Sequence, residues 1–272
     1  MPPATINGGG PICLGQSINA SFTLPGNLPY NLVVNDGTQD ITLPSLTNGE
    51  VWSLSPSQTT TYTLISVENA ITGCTNTATG SITVTVNNPV FAGTANAPTA
   101  LCSGVGQLIG LAGLLTGADP GGVWTETSAA PSTGGAFNAG AGTFNTAGQA
   151  PGTYTFRYFM DATPPCVDDN ETVTVIIHPL PIADAGTPQE LTCDATTAEV
   201  GGSGTSTGAQ FTYEWTLVGS TSVIGTQTTL SVGQAGTYQL TVINTQTGCE
   251  SSDQVEVTQN LKRPSRSSRQ KT

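Results

Sequence analysis

The chain has 272 residues, with six Lys and Arg against 18 Asp and Glu, a net charge of −12 and only 9% charged side chains. All bases except Arg157 lie beyond Asn260, so residues 1–260 form an acidic surface that repels phosphate backbones and excludes nucleic acid as a partner. No run of about 18 apolar residues occurs, which excludes a membrane-spanning helix.

In chain order, the opening Met1-Pro2-Pro3 has neither a basic region nor an apolar core, so the sequence reads as a segment of a longer secreted protein. Ser17 to Leu24 alternates loosely and predicts a strand. Leu32-Val33-Val34, Asp36-Gly37 and Ile41 with Leu43 predict a hairpin, because Asp-Gly supplies the backbone a tight turn needs. Val51 to Leu54 is a further short strand. Thr61 to Val86 then carries Tyr62, Leu64, Cys74, Ile82, Val84 and Val86 at strand spacing around a turn.

Asn87-Asn88-Pro89 reads as a linker, since proline cannot donate to a sheet ladder. Beyond it, Leu108 to Leu115 is apolar and fits either a strand or a short helical turn. Gly121-Gly122-Val123-Trp124 leads into a strand. Ser128 to Gly152 is rich in Gly, Ala and Thr and reads as long turns anchored by Phe137 and Phe144. Gly152 to Ile177 repeats the earlier pattern with Tyr154, Phe156, Tyr158, Cys166, Val173, Val175 and Ile177. His178-Pro179-Leu180-Pro181 is a second stiff linker. Phe211 to Val218 is the cleanest strand, with Phe211, Tyr213, Trp215 and Leu217 on one face. Gly236 to Val257 gives the third copy, a hairpin with Tyr238, Leu240 and Val242 before the turn and Val255 and Val257 after it.

The Tyr-to-Cys offset is 12, 12 and 11 residues in the three copies, and each copy has one Trp (Trp52, Trp124, Trp215) ahead of its Tyr. A recurrence of this kind outranks any single-fold reading. It predicts three sandwiches at 1–88, 89–179 and 180–260, followed by a disordered basic tail at 261–272. The six cysteines fall one early and one late in each repeat. The simplest scheme is one bridge per repeat, Cys13–Cys74, Cys102–Cys166 and Cys193–Cys249, and it implies an oxidising compartment. Free buried thiols are the alternative. A zinc site is disfavoured, because no CxxC occurs and His178 is the lone histidine.

The catalytic signals are weak. His178 sits beside a linker proline, no Gly-x-Ser-x-Gly elbow is present, and Gly201-Gly202-Ser203-Gly204 lacks the Lys-Ser/Thr of a phosphate loop. An enzyme is therefore not expected, and no cofactor beyond a metal ion. Asp161, Asp168, Asp169 and Glu171, clustered around Cys166, are candidate Ca²⁺ ligands, since that ion takes six to eight oxygens. The alternative for them is a solvated acidic loop. Asp184 and Asp194 form a weaker candidate of the same kind.

Gly9-Gly10-Pro11-Ile12-Cys13, Asn31-Leu32-Val33-Val34 and Thr59-Thr60-Thr61-Tyr62-Thr63-Leu64 are similar to Ig-like repeats of large Bacteroidetes surface proteins. Ala92-Gly93-Thr94, Leu101-Cys102-Ser103, Gly121 to Trp124, Gly152 to Phe156 and Pro165-Cys166 resemble the PKD-like repeats of the same proteins. The third repeat resembles these through Ala183 to Gly186, Leu191 to Cys193, Tyr213 to Trp215 and Gly248-Cys249. The resemblance covers about 1–260 and implies a gliding-motility-associated, secreted or cell-surface protein whose signal peptide and sorting domain lie elsewhere in the parent. On this reading the fold class is all-β, with three tandem Ig-like/PKD-like sandwiches. The function is that of a non-catalytic spacer or adhesive stalk, and its partners are the parent's other domains. A carbohydrate- or protein-binding accessory module of a secreted enzyme, taking a glycan or protein ligand, is the competing expectation.

Overall fold

The structure, a computed structural model, describes residues Ala4–Asn260; the basic tail expected at 261–272 lies outside the described residues. The described chain is all-β, with one 3-10 turn at Leu111–Leu114 as its helical element. The ambiguous stretch 108–115 therefore takes both of its predicted forms. A strand at Leu108–Gly110 runs into the 3-10 turn, and a two-residue strand, Leu115–Thr116, follows.

Each repeat is built around one antiparallel pair or trio whose alternation was legible in the sequence. In the first, Thr60–Asn69 pairs with Ser81–Asn87 and with Tyr30–Asn35. Tyr62, Leu64 and Val67 point inward with Ile82, Val84, Leu32 and Val34. Thr75–Thr79 pairs with Thr60–Asn69 on one side and with Ala4–Gly8 on the other, so it joins the two layers of this sandwich. Trp52 packs edge-on to Tyr62 at 5.3 Å. In the second, the order is Thr99–Cys102, Asp169–His178, Gly152–Met160, Val123–Glu126, with a small sheet of Leu108–Gly110, Thr143–Asn145 and Phe137–Asn138. Phe144 is fully buried, 4.9 Å from the rings of both Tyr154 and Phe156. In the third, Gly236–Asn244 pairs with the whole of Phe211–Leu217 and with residues 250–257 of Glu250–Asn260. Trp215, Leu240 and Val242 are fully buried there.

No sheet mixes strands of two repeats among the described residues. By compactness the backbone nevertheless divides into two units. One is Met1–Asn96 with Leu115–Thr125 and Arg157–Thr172. The other is Ala97–Leu114 with Glu126–Phe156 and Val173–Thr272.

Two local devices recur between repeats. The Tyr154 hydroxyl donates to the carbonyl of Ala150, and that of Tyr238 to Gln234, each four residues upstream at 2.9 Å. This is the corner by which Ig-type sandwiches fix the chain before the strand that carries the tyrosine. Burial, with Glu126 nearby, pushes the Tyr154 phenol above its ordinary pKa. Tyr238→Phe keeps the ring and loses one hydrogen bond, so it should cost about 1 kcal/mol in urea unfolding. A change below a few tenths would show that the corner is not structural. In the second device, the fully buried Ala92 and Ala185 each donate their backbone N–H to a carboxylate, Asp169 and Asp253, at 2.8 Å.

The predicted Asp-Gly hairpin forms, with a loop of four residues from Asp36 to Gln39 between Tyr30–Asn35 and Asp40–Leu46. Asp36 Oδ1 accepts from the Thr38 hydroxyl (2.7 Å), from the Thr38 N–H and from the Gln39 N–H (both 2.8 Å). The Thr38 hydroxyl, then the two backbone donors, hold this carboxyl down from 3.8 to about 2. Its folded pKa lies below the unfolded one, so the charged form stabilises the loop at and above pH 4. That contribution is lost as the pH falls through about 2. An NMR titration should place the Asp36 midpoint near 2. A midpoint at an ordinary carboxyl value would contradict the hydrogen-bonded loop.

Candidate functional site

The cysteines correct the sequence expectation. The bridges are Cys13–Cys166 and Cys102–Cys249, with Cα atoms 4.9 and 5.5 Å apart. Neither is intra-repeat. The expected pairs Cys13–Cys74, Cys102–Cys166 and Cys193–Cys249 are not formed, and Cys74 and Cys193 are exposed.

The reason lies in strand direction. Each early cysteine ends, or directly follows, an opening strand that runs parallel to the last strand of its repeat. Cys13 is opposite Asn87, Cys102 is opposite His178, and Cys193 follows Thr192, which is opposite Asn260. Each late cysteine instead sits in the turn of the hairpin made by the tyrosine strand and the strand after it. Cys249 directly precedes Glu250–Asn260, whose far end is at Cys193. The span of that strand is about 30 Å at ~3.3 Å per residue, whereas a bridge needs Cα atoms within about 7 Å. In the first repeat Thr60–Asn69 separates the level of Cys13 from that of Cys74 by a similar length. The early cysteine of one repeat therefore meets the late cysteine of the next.

The junction at Cys13–Cys166 is built from both repeats. Cys13, Cys166 and Ala162 are buried together, with Val90 packed against them. The Asn87 side-chain amide donates to the carbonyl of Pro164 at 2.7 Å, and Leu14 N–H donates to the carbonyl of Asn87 at 2.9 Å. Beside it lies an open depression of about 630 Å³, lined by Asp161 to Pro164 and Cys166 to Asp168.

The four acidic residues of this region do not converge. Asp168 Oδ1 accepts from Ala162 N–H, and Asp169 uses one oxygen on Ala92 N–H and the other on Asn170 N–H. Glu171 accepts from Thr172 N–H, and Asp161 is exposed. Among the described residues no group of three or more His, Cys, Asp and Glu side chains is arranged to hold a metal ion. Asp168, Asp169 and Glu171 thus accept from backbone donors. Asp184 behaves likewise, accepting from Gly186 and Gly204 N–H at 3.0 and 2.9 Å. A Cβ on Gly202 would lie 2.0 Å from that carboxylate, which accounts for the glycine run. His178 is half-buried at the end of its strand, and its carbonyl accepts from Ser103 N–H.

The residues that the sequence places on one face of the strand Phe211–Leu217 divide. Trp215 is fully buried, and its Nε1–H donates to the carbonyl of Gln227 at 2.9 Å. Phe211 and Tyr213, on the same face, are only half-buried, and Leu217 is exposed. The neighbouring edge strand Val223–Gly225 pairs only with Trp215 and Thr216, so the backbone edge of residues 211–214 on that side has no strand beside it. Phe211, Tyr213, Glu214, Val223 and Gln227 line an open groove of about 600 Å³. Nothing in the alternation distinguishes these half-covered positions from core, because cover comes from a strand distant in sequence.

No protein-family model matches the chain, and no curated protein sequence does. Among solved structures, the chain is similar to titin domains I67–I69 in an E-to-A mutated variant, with TM-score 0.53, 13% identity, and 95% of this chain and 97% of that one covered. It also aligns with extracellular domains 3–5 of Drosophila OTK, at TM-score 0.35 and 13% identity over 94% and 95% of the two chains. At such identity the titin likeness shows the fold alone: tandem Ig-like sandwiches.

Proposed function

We propose that the chain is a non-catalytic extracellular repeat segment, the spacer or adhesive stalk of a larger bacterial cell-surface protein of the gliding-motility-associated kind. We place its Ig-like and PKD-like repeats at 1–88, 89–179 and 180–260. The observation that carries this reading is the pair of cystines, each tying one repeat to the next. Cystines of this sort suit an oxidising exterior. A stalk must transmit force without paying out chain, and overlapping bridges limit how much chain can be paid out.

Pulled between its ends, a reduced chain can extend to on the order of 900 Å, at ~3.5 Å per residue. With both bridges closed, only roughly 100 residues lie on the shortest covalent path, which gives on the order of 350 Å. Single-molecule force spectroscopy with and without reductant reads this directly. Equal extensions in both states would remove the mechanical argument.

The half-buried Phe211 and Tyr213 on their groove favour a second reading, a carbohydrate- or protein-binding accessory module. A glycan array and a cell-surface binding screen separate the two. Binding to a defined glycan that Tyr213→Ala abolishes would support the module over the plain spacer.

A further inference from the structure

Two of the three late cysteines are bonded to the early cysteine of the repeat before them, Cys166 to Cys13 and Cys249 to Cys102. Cys74 is the third late cysteine, and it is a free, exposed thiol. Its turn matches that of Cys249 closely. Asn69-Ala-Ile-Thr-Gly-Cys74 and Asn244-Thr-Gln-Thr-Gly-Cys249 share Asn, Thr, Gly and Cys at the same places. Asn69 and Asn244 each donate their N–H to the carbonyl of the cysteine, at 2.9 and 2.8 Å. Gly73 and Gly248 each return an N–H to the asparagine carbonyl and take φ of 68° and 72°. The difference is in cover. Cys249 is fully buried, whereas at the first repeat's turn Ile71 is 69% exposed, and Leu28, next to Pro29 whose carbonyl accepts from Ala70 N–H at 2.9 Å, is 46% exposed.

We propose that Cys74 is the docking half-cystine for one more repeat of this kind, joined directly ahead of the first, whose opening strand ends in an early cysteine. The occupant is fixed by continuity with the two existing junctions, where the bonded partner is in each case the preceding repeat's early cysteine. Ile71 and Leu28 supply apolar surface for it, as Val90 and Ala162 do around Cys13–Cys166. The bridges then form an open ladder in which each repeat gives one sulfur forward and receives one from behind. A short linker raises the effective concentration of the two thiols, which favours a neighbour in the same polypeptide over a separate copy. The chemistry needs a disulfide donor. The Cys74 thiolate attacks oxidised glutathione, forming a mixed disulfide and releasing one glutathione. The partner cysteine's thiolate then attacks the Cys74 sulfur, closing the protein bridge and releasing the second. Two protein thiols are oxidised and one donor disulfide is reduced.

This inference stands on the cystine pattern and the turn, not on the spacer reading. The test is a tandem of two complete copies, with Asn88-Pro89-Val90 replacing residues 261–272 of the leading copy, oxidised in a glutathione buffer and digested without reduction. In it Cys193 of the leading copy, the early cysteine of its third repeat, precedes Cys74 of the trailing copy by one junction. Mass spectrometry should recover these two in one linked peptide pair, and Cys74→Ser in the trailing copy should abolish that pair alone. The Cys13–Cys166 and Cys102–Cys249 pairs in the same digest report correct folding of both copies. Recovery of the trailing Cys74 alkylated, or linked to any other cysteine, with those pairs intact would overturn the proposal. Linkage only between separate tandems, seen as reductant-sensitive oligomers, would overturn it too.

Discussion

Cys166→Ser should lower the thermal midpoint by on the order of 10 °C, whereas Cys74→Ser should leave it within about 1 °C. The bridge lost in the first variant spans 153 residues of sequence. Chain entropy puts a loop of that length at about 5 kcal/mol, with typical measured costs of 2–5 kcal/mol. For a chain of this size each kcal/mol shifts the midpoint by roughly 2–4 °C. Cys74 is exposed and bonded to no cysteine, and surface substitutions usually fall within about 0.5 kcal/mol. Cross-repeat and intra-repeat pairing predict opposite results for Cys74→Ser, since a Cys13–Cys74 bridge would make that variant costly. Circular dichroism melts of the two variants, with peptide mapping of the unreduced parent, decide between them. Equal destabilisation by both substitutions would sink the cross-repeat ladder.

Trp215→Ala should cost about 3–5 kcal/mol, the usual range for removing a buried aromatic. The side chain is fully buried among Leu240, Val242 and Val200, and its indole N–H satisfies the Gln227 carbonyl. Alanine leaves both a cavity and an unpaired acceptor. A domain holds about 5–15 kcal/mol in all, so the third repeat should unfold at a much lower urea concentration, or not fold. Trp215→Phe keeps much of the volume but not the donor and should lie between the two. By contrast Tyr213→Ala, on the half-covered part of the same face, should cost distinctly less, although its hydroxyl donates to the carbonyl of Ser206 at 3.0 Å. Urea titrations followed by fluorescence rank the variants. If Trp215→Ala and Tyr213→Ala cost the same, the burial contrast along Phe211–Leu217 is wrong.

What the residues settle alone is the repeating unit. Alternation at Tyr62, Tyr154 and Tyr238, the glycine turns before Cys74 and Cys249, and the Asp36 loop are set by neighbours a few positions away, and they survive in the structure as read. The acidic residues around Cys166 are candidate Ca²⁺ ligands or a solvated loop by sequence, which records charge but not direction. Folding turns Asp168 and Asp169 onto the N–H groups of Ala162 and Ala92. Likewise Phe211 and Tyr213 alternate as core residues do, but how far they are covered depends on what the completed fold packs against their face.

The choice of cystine partner belongs wholly to the tertiary structure. Sequence spacing made Cys13 and Cys74 look like a pair. The strands between them, about 30 Å long, hold the two sulfurs at opposite ends of one sandwich. Cys166 and Cys249 reach their partners because each turn meets the end of the preceding repeat's opening strand. Periodicity is a property of adjacent residues and can be read along the chain. A bridge depends on where two strand ends arrive in space, which the order of residues specifies only through the completed fold.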